Sequence, residues 1–174
     1  MHAFLSRLEQ GVLLADGAMG TQLYARGVPF DQCFDELNLT ASDLVRGIHL
    51  DYIESGAELI ETNTFGANRF KLGGHGMSER LDEINRAGAR VAREAADIAG
   101  RAVFIAGSMG PIGRPMAPLG AVQPAEVREA YTEQAEALSR GGADLLILET
   151  FTDLAELVEA VRGARAGSAL PLIA

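Results

Sequence analysis

The sequence predicts an α/β chain corresponding to the N-terminal half of a (β/α)8 TIM barrel, cut in or near strand five. Three observations carry this reading: short apolar runs that recur, helical apolar stripes between them, and an internal repeat that ends in polar residues. The runs are VLLA at 12–15, ELIET at 58–62, AVFIAG at 102–107 and DLLILE at 144–149, and a fifth, LPLIA, starts at Leu170. They are continuous rather than alternating, as strands of a parallel sheet covered on both faces should be.

The elements follow in order. The first ten residues read as a short amphipathic helix with Phe4, Leu5 and Leu8 on one side. TASDLVRGIHLDYIESG opens with Thr40 three residues before Asp43, the spacing of a capping box, and carries Leu44, Ile48 and Tyr52 on one face. Leu81, Ile84, Gly88, Val91, Ala95 and Ile98 recur at spacings of 3, 4, 3, 4 and 3, an apolar stripe along one helix. Val127, Tyr131, Gln134 and Leu138 keep the same rhythm less cleanly, and Leu154, Leu157, Val158 and Val161 mark a helix before the fifth run. Ser108 to Gly120, SMGPIGRPMAPLG, is rich in Gly and Pro and reads as a loop. Strand and helix alternating without hairpins is the grammar of a Rossmann-like sheet or of a barrel.

The repeat favours the barrel. GAELIETNTF at 56–65 lies without gaps on GADLLILETF at 142–151, and Asn63 falls on Glu149. Each copy leaves a helix through glycine, runs a short strand and delivers a polar side chain at its C-terminal end, where barrels collect their ligand groups. A whole barrel takes about 250 residues. At 174 residues the chain is therefore expected to be one partial domain, 1–174, with the remaining strands elsewhere. Half a barrel has open sheet edges, through which self-association is expected.

Composition narrows the function classes. Fifteen basic residues against 24 acidic ones give a formal charge of −9, which argues against a nucleic-acid partner. The N-terminus contains acidic residues and no long apolar core, so neither a signal peptide nor a membrane span is expected. Cys33 is the only cysteine, which rules out an intrachain disulfide and makes a reducing, cytoplasmic location the expectation.

The expected strand ends deliver Asp16-Gly17, Asn63-Thr64, Ser108 and Glu149-Thr150. Period-two alternation pairs Leu14 with Asp16, Glu61 with Asn63, Ala106 with Ser108 and Ile147 with Glu149, so these polar ends are compatible with one pocket. Two carboxylates suit a ligand ammonium, and the turn Asp16-Gly17-Ala18-Met19-Gly20 can offer backbone N–H groups to a carboxylate. An amino acid fits; a sugar or a metal-bound oxygen ligand would fit as well. Asp16 could instead cap its turn, and Glu149 could serve a salt bridge, since an unpaired buried carboxylate is costly. No phosphate-loop spacing is present, which argues against nucleotide binding. His2, His49 and His75 define no metal spacing; His49 reads as a packing or surface residue, and Cys33 as a packing one.

LLADGAMGTQLYARGVPFDQCFDELNLT, HLDYIESGAELIETNTFGANR, GSMGPIG and GGADLLILETFTDLAE together resemble the homocysteine S-methyltransferase family. GVPFDQCFDELNLT with ETNTFGANRFKL is most similar to the N-terminal domain of bacterial bifunctional homocysteine S-methyltransferase/methylenetetrahydrofolate reductase proteins. The resemblance implies a homocysteine site in which Asp16 and Gly17 meet the amino and carboxylate ends, Glu149 holds the amino group, and Thr62, Asn63 and Thr64 line the pocket. It further implies transfer of a methyl group to a zinc-activated thiol to form methionine, with methyltetrahydrofolate as the leading donor, S-methylmethionine, betaine and methylcobalamin open beside it, and FAD if a reductase domain follows. The family's zinc cysteines match nothing in this chain, so the isolated segment is expected to hold no metal and to be inactive. A metal-dependent barrel lyase or aldolase, and a non-catalytic amino-acid-binding or assembly module, are the alternative readings.

Overall fold

The computed structural model describes residues 2–174. Four strands, β1 (Leu59–Glu61), β2 (Phe104–Met109), β3 (Leu145–Leu148) and β4 (Leu172–Ile173), form one sheet in the order β1-β2-β3-β4. All three pairings are parallel, with Glu61 beside Ala106, Ser108 beside Ile147 and Ile147 beside Ile173. The second, third, fourth and fifth apolar runs thus become neighbouring strands of an α/β fold, as their continuous apolar character requires.

The first run departs from expectation. Residues 12–15 form no strand; Ala15 makes a single parallel bridge to Leu59, held by N–H donation from Asp16 to Leu59 O at 3.0 Å and from Leu59 to Leu14 O at 3.2 Å. Val12 is 92% exposed, and past Ala15 it is the Asp16 side chain, not its backbone, that takes the Glu61 N–H, so the ladder goes no further.

Among the described residues, eight α-helices flank the sheet. α1 (Ala3–Leu8), α2 (Met19–Ala25), α3 (Leu37–Thr40) and α4 (Ser42–Glu54) precede β1. α5 (Arg69–Gly74), a 3-10 turn at Ser78–Arg80 and α6 (Leu81–Ala99) lead to β2. α7 (Pro124–Gly141) and α8 (Leu154–Gly167) make the next two crossovers. Successive long helices pack on one another, α4 on α6, α6 on α7 and α7 on α8, a continuous layer over the sheet. None of the helices among the described residues is long and apolar enough to cross a membrane.

Helix starts show where local reading succeeded and failed. The expected box at Thr40 does not form: Thr40 ends α3 and its hydroxyl donates to Glu36 O, while α4 starts at Ser42 without a side-chain cap. The capping box is at α7 instead, where Gln123 and Glu126 bond reciprocally and Pro124 takes the first position. Asn68 caps α5 and Asp153 caps α8.

The stripes are largely buried. Leu81, Ile84, Gly88, Val91 and Ala95 face inward along α6, but Ile98 is 63% exposed one residue before the helix ends. Phe4 of α1 is buried against Phe104, whereas Leu5 and Leu8 are exposed. On α8, Leu154 and Val158 are exposed, and the helix docks through Ala160, Gly163 and Ala164. A Cβ on Gly163 would lie 2.4 Å from Arg128 O, so a small residue sets this close approach, while Leu157 and Val161 of the expected stripe pack half-buried against the core beside it.

Candidate functional site

The C-terminal ends of β1, β2 and β3 and the turn after Ala15 surround a cavity of about 670 Å³, within the range of about 300–1,000 Å³ usual for small-molecule sites. Asp16, Gly17, Thr62, Asn63, Ser108 and Glu149 line it together. Thr64 lies behind the wall, fully buried, with its hydroxyl donating to Ser108 O at 2.8 Å and paired with the Thr62 hydroxyl at 2.5 Å.

Each carboxylate is placed by the strand beside it. Past the bridge at Ala15 the first segment veers away from β1, and Asp16 Oδ2 accepts the Glu61 N–H at 3.0 Å, replacing the carbonyl a longer strand would have offered. Glu149 follows β3; its N–H donates to Met109 O at 3.3 Å and its Oε1 accepts from the Ser108 hydroxyl at 2.5 Å. The next residue, Thr150, sits at φ +63°. A β-branched side chain in the left-handed region is strained by about 1–3 kcal/mol, and the bend turns the chain aside directly after Glu149.

Glu61 is a third carboxylate on the same wall that sequence reasoning passed over as a site residue. The alternation that put it on the face of Asn63 was the signal that could have found it. Burial, partly offset by hydrogen bonds from backbone N–H groups, pushes Asp16 up to about 7, and the charge of Glu149 adds to the rise. Glu61 is also pushed well above the carboxylate range, first by burial and then by Glu149 and Asp16. Among the described residues no Lys, Arg or His lies within 4.0 Å of any of the three carboxylates. Two acids, Asp16 and Glu61, that burial keeps protonated near neutral pH beside a third carboxylate are suited to receive a cation from a ligand.

The remaining site residues shape the cavity. A Cβ on Gly17 would lie 3.0 Å from the Tyr52 hydroxyl oxygen, and that hydroxyl donates to Ala18 O at 3.1 Å, so the turn runs close beneath Tyr52. Asn63 is committed: its Nδ2 donates to Phe34 O at 2.7 Å and to Asn38 Oδ1 at 3.2 Å, fastening the segment before α3 to the end of β1.

The opposite wall comes from loops and α5, and sequence reasoning missed it. It carries Cys33, Asp35, Lys71 and His75. Asp35 Oδ1 accepts the Gly66 N–H at 2.9 Å, and a Cβ on Gly66 would lie 2.6 Å from Asp35 Oδ2, so only glycine lets the two segments meet. Burial pushes Asp35 up to about 6, and burial and Asp35 together raise the Cys33 thiol. Lys71 Nζ rests 4.4 Å from the centroid of the Phe65 ring. Cys33 is buried, in keeping with a packing role. His49, away from the cavity, is fully buried with neither ring nitrogen hydrogen-bonded among the described residues, and burial lowers its pKa to about 4. It packs as a neutral ring.

A family model described as homocysteine S-methyltransferase matches residues 13–173. The chain belongs to the homocysteine S-methyltransferase family. It is 40% identical over 183 residues to the methionine synthase of Mycobacterium tuberculosis (strain ATCC 25618 / H37Rv) and 38% identical over 169 residues to that of Mycobacterium leprae (strain TN). These alignments cover 98% and 92% of this chain but only 15% and 14% of those proteins. Among solved structures it is similar to the homocysteine methyltransferase MmuM from Escherichia coli in its oxidized and metallated forms, with a TM-score of 0.76 and 26% identity to each. The match covers 91% of this chain and 61% of the oxidized MmuM chain, so the present residues correspond to a part of a family domain. The described residues contain no group of three or more His, Cys, Asp or Glu that could hold a metal ion.

Proposed function

We propose that the full-length protein is a homocysteine S-methyltransferase that forms methionine, and that residues 1–174 supply the homocysteine-binding part of a (β/α)8 barrel. The convergence of Asp16, Glu61 and Glu149 on one cavity without a cation carries this reading. Asp16 and Glu149 hold the homocysteine ammonium, Gly17 and its turn present N–H groups to the carboxylate, and Thr62, Asn63 and Thr64 set the shape and rigidity of the wall between them. Glu61, whose pKa is raised by burial and by both other acids, adds to the negative field that favours the ammonium.

Unreversed strand order supports the barrel half, because a doubly wound sheet binds its ligand where the order reverses. The methyl donor is methyltetrahydrofolate, in a cytoplasmic protein where this domain precedes a reductase domain carrying FAD; the likeness of GVPFDQCFDELNLT and ETNTFGANRFKL to that group supports it. The described residues do not furnish the zinc site that the family resemblance implies. Their part is confined to binding and orienting homocysteine, so that its sulfur faces the incoming methyl group.

The test is direct. Full-length protein titrated calorimetrically with L-homocysteine should bind it, and addition of 5-methyltetrahydrofolate should yield methionine. Absence of both binding and homocysteine-dependent methionine formation, with S-methylmethionine and betaine tried as donors too, would overturn the reading.

A further inference from the structure

The three acids of the proposed homocysteine site are not the only charged groups on the cavity. Its lining also carries Lys71, the only lysine in the sequence. Its backbone is fixed at the start of α5, where Asn68 Oδ1 accepts the Lys71 N–H at 3.0 Å. Its stem passes the backbone of Gly113 and its ammonium rests over the Phe65 ring, so the head group is held in place before any ligand arrives. Among the described residues no carboxylate lies within 4.0 Å of Nζ. Its nearest acid on this wall, Asp35, already accepts the Gly66 N–H. A half-buried ammonium without an ion-pair partner, facing a cavity, is a place for an anion.

That anion is not the α-carboxylate of homocysteine. In an α-amino acid the ammonium and carboxylate share one carbon, so a lysine reaching the carboxylate would stand within Coulombic range of the three acids around the ammonium. The charge acting on Asp16 is that of Glu149, those acting on Glu61 are Glu149 and Asp16, and those acting on Lys71 are Asp35 and Glu156. No charged group acts on both sets, and homocysteine would fill only part of the cavity of about 670 Å³.

We infer that Lys71 binds a carboxylate of the methyl donor, so that its part of the cavity anchors the second substrate and selects donors that carry such a group. This inference rests on the proposed homocysteine site. It assigns Lys71 to donor recognition and leaves the first substrate to the opposite wall. Charge and reach matter more here than shape, so arginine should substitute and glutamine should not.

The experiment uses full-length protein saturated with homocysteine and three carboxylate-bearing probes, 5-methyltetrahydrofolate, S-methylmethionine and betaine. For whichever probe the wild type uses, Lys71→Gln should raise the donor KM by about 10- to 100-fold, the loss expected for one charge-assisted contact. The homocysteine Kd should stay unchanged, and Lys71→Arg should restore most of the donor KM. An unchanged donor KM in Lys71→Gln would overturn the inference while leaving the homocysteine site standing. A loss of homocysteine affinity with an unaltered donor KM would also overturn it, by assigning Lys71 to the first substrate. Wild-type protein that takes up no homocysteine would remove the functional reading itself, and this inference with it.

Discussion

Two polar clusters lie on either side of the chain at residues 62–67, and they have opposite hydrogen-bond balances. Behind it, Asn38, Asn85 and Gln134 are buried amides whose donors reach Asn63 O, Ala67 O and Thr64 O at 2.7, 2.8 and 2.9 Å; Gln134 Oε1 alone has no partner among the described residues. In front of it, Asp16, Glu61 and Glu149 share a few N–H and O–H donors and repel one another. The amides are satisfied by the protein, whereas the acids are left for something else to satisfy. The difference separates a cluster that holds the fold from one that awaits a ligand.

Breaking the first cluster should have the largest effect. Asn85→Ala removes bonds to Ala67 O and Leu81 O and leaves Gln134 Nε2 with one partner fewer, so chemical denaturation should show a loss of about 3 kcal/mol. Glu149→Gln in the second cluster should instead weaken homocysteine binding by about 10- to 100-fold in calorimetry, with folding stability undiminished. Equal affinity in this variant would remove Glu149 from ammonium recognition.

Titration sharpens the contrast further. Because the folded-state pKa of Asp16 is raised to about 7, the folded chain keeps a proton that the unfolded chain has released above about pH 4. Unliganded stability should therefore fall as pH rises from about 4 through about 7. Homocysteine affinity should run the other way, rising between about pH 6 and about pH 8 as Asp16 and Glu61 ionise. Glu61→Gln should lift the unliganded stability at about pH 8 by about 1–2 kcal/mol, a discounted value because solvent reaches the site; a drop would show that Glu61 is already paired. The smallest effect is expected at Thr150, where Thr150→Gly relieves the left-handed backbone and should raise the melting temperature slightly, by a gain of about 0.5–1 kcal/mol.

The carboxylate end was legible in the sequence because strands impose period two, which put Asp16, Asn63, Ser108 and Glu149 at equivalent positions. The repeat that laid Asn63 on Glu149 correctly gave both to the cavity, yet their side chains differ in use, since Asn63 spends its Nδ2 on Phe34 and Asn38. The amides hid for the reason Gln134 looked like a flaw in its stripe: a buried glutamine is recognisable only once Thr64 O and Asn85 are beside it. Lys71 lies on a helix of six residues, too short to show a stripe, and Asp35 and His75 lie outside helix and strand, where no period fixes which way a side chain faces. The helix start at Ser42 was misplaced because Thr40 has the capping spacing but is already the end of a preceding helical turn. The first run was overread as a strand because apolar composition cannot say how far backbone pairing extends, and here it amounts to the one bridge from Ala15 to Leu59.

The bond from Glu61 N–H to Asp16 Oδ2 has a further consequence. The same carboxylate that is proposed to greet the ligand also stitches residues 12–16 to the edge of β1, with its second oxygen left over. Occupancy and the attachment of the N-terminal segment are thus thermodynamically linked: a bound ammonium keeps Asp16 ionised and strengthens the stitch. Hydrogen–deuterium exchange should register this as slower exchange at the amides of Asp16 and Glu61 when homocysteine is present, with the amides of β3 unchanged. The site would then act as a clasp, closing a loosely paired edge when it is filled.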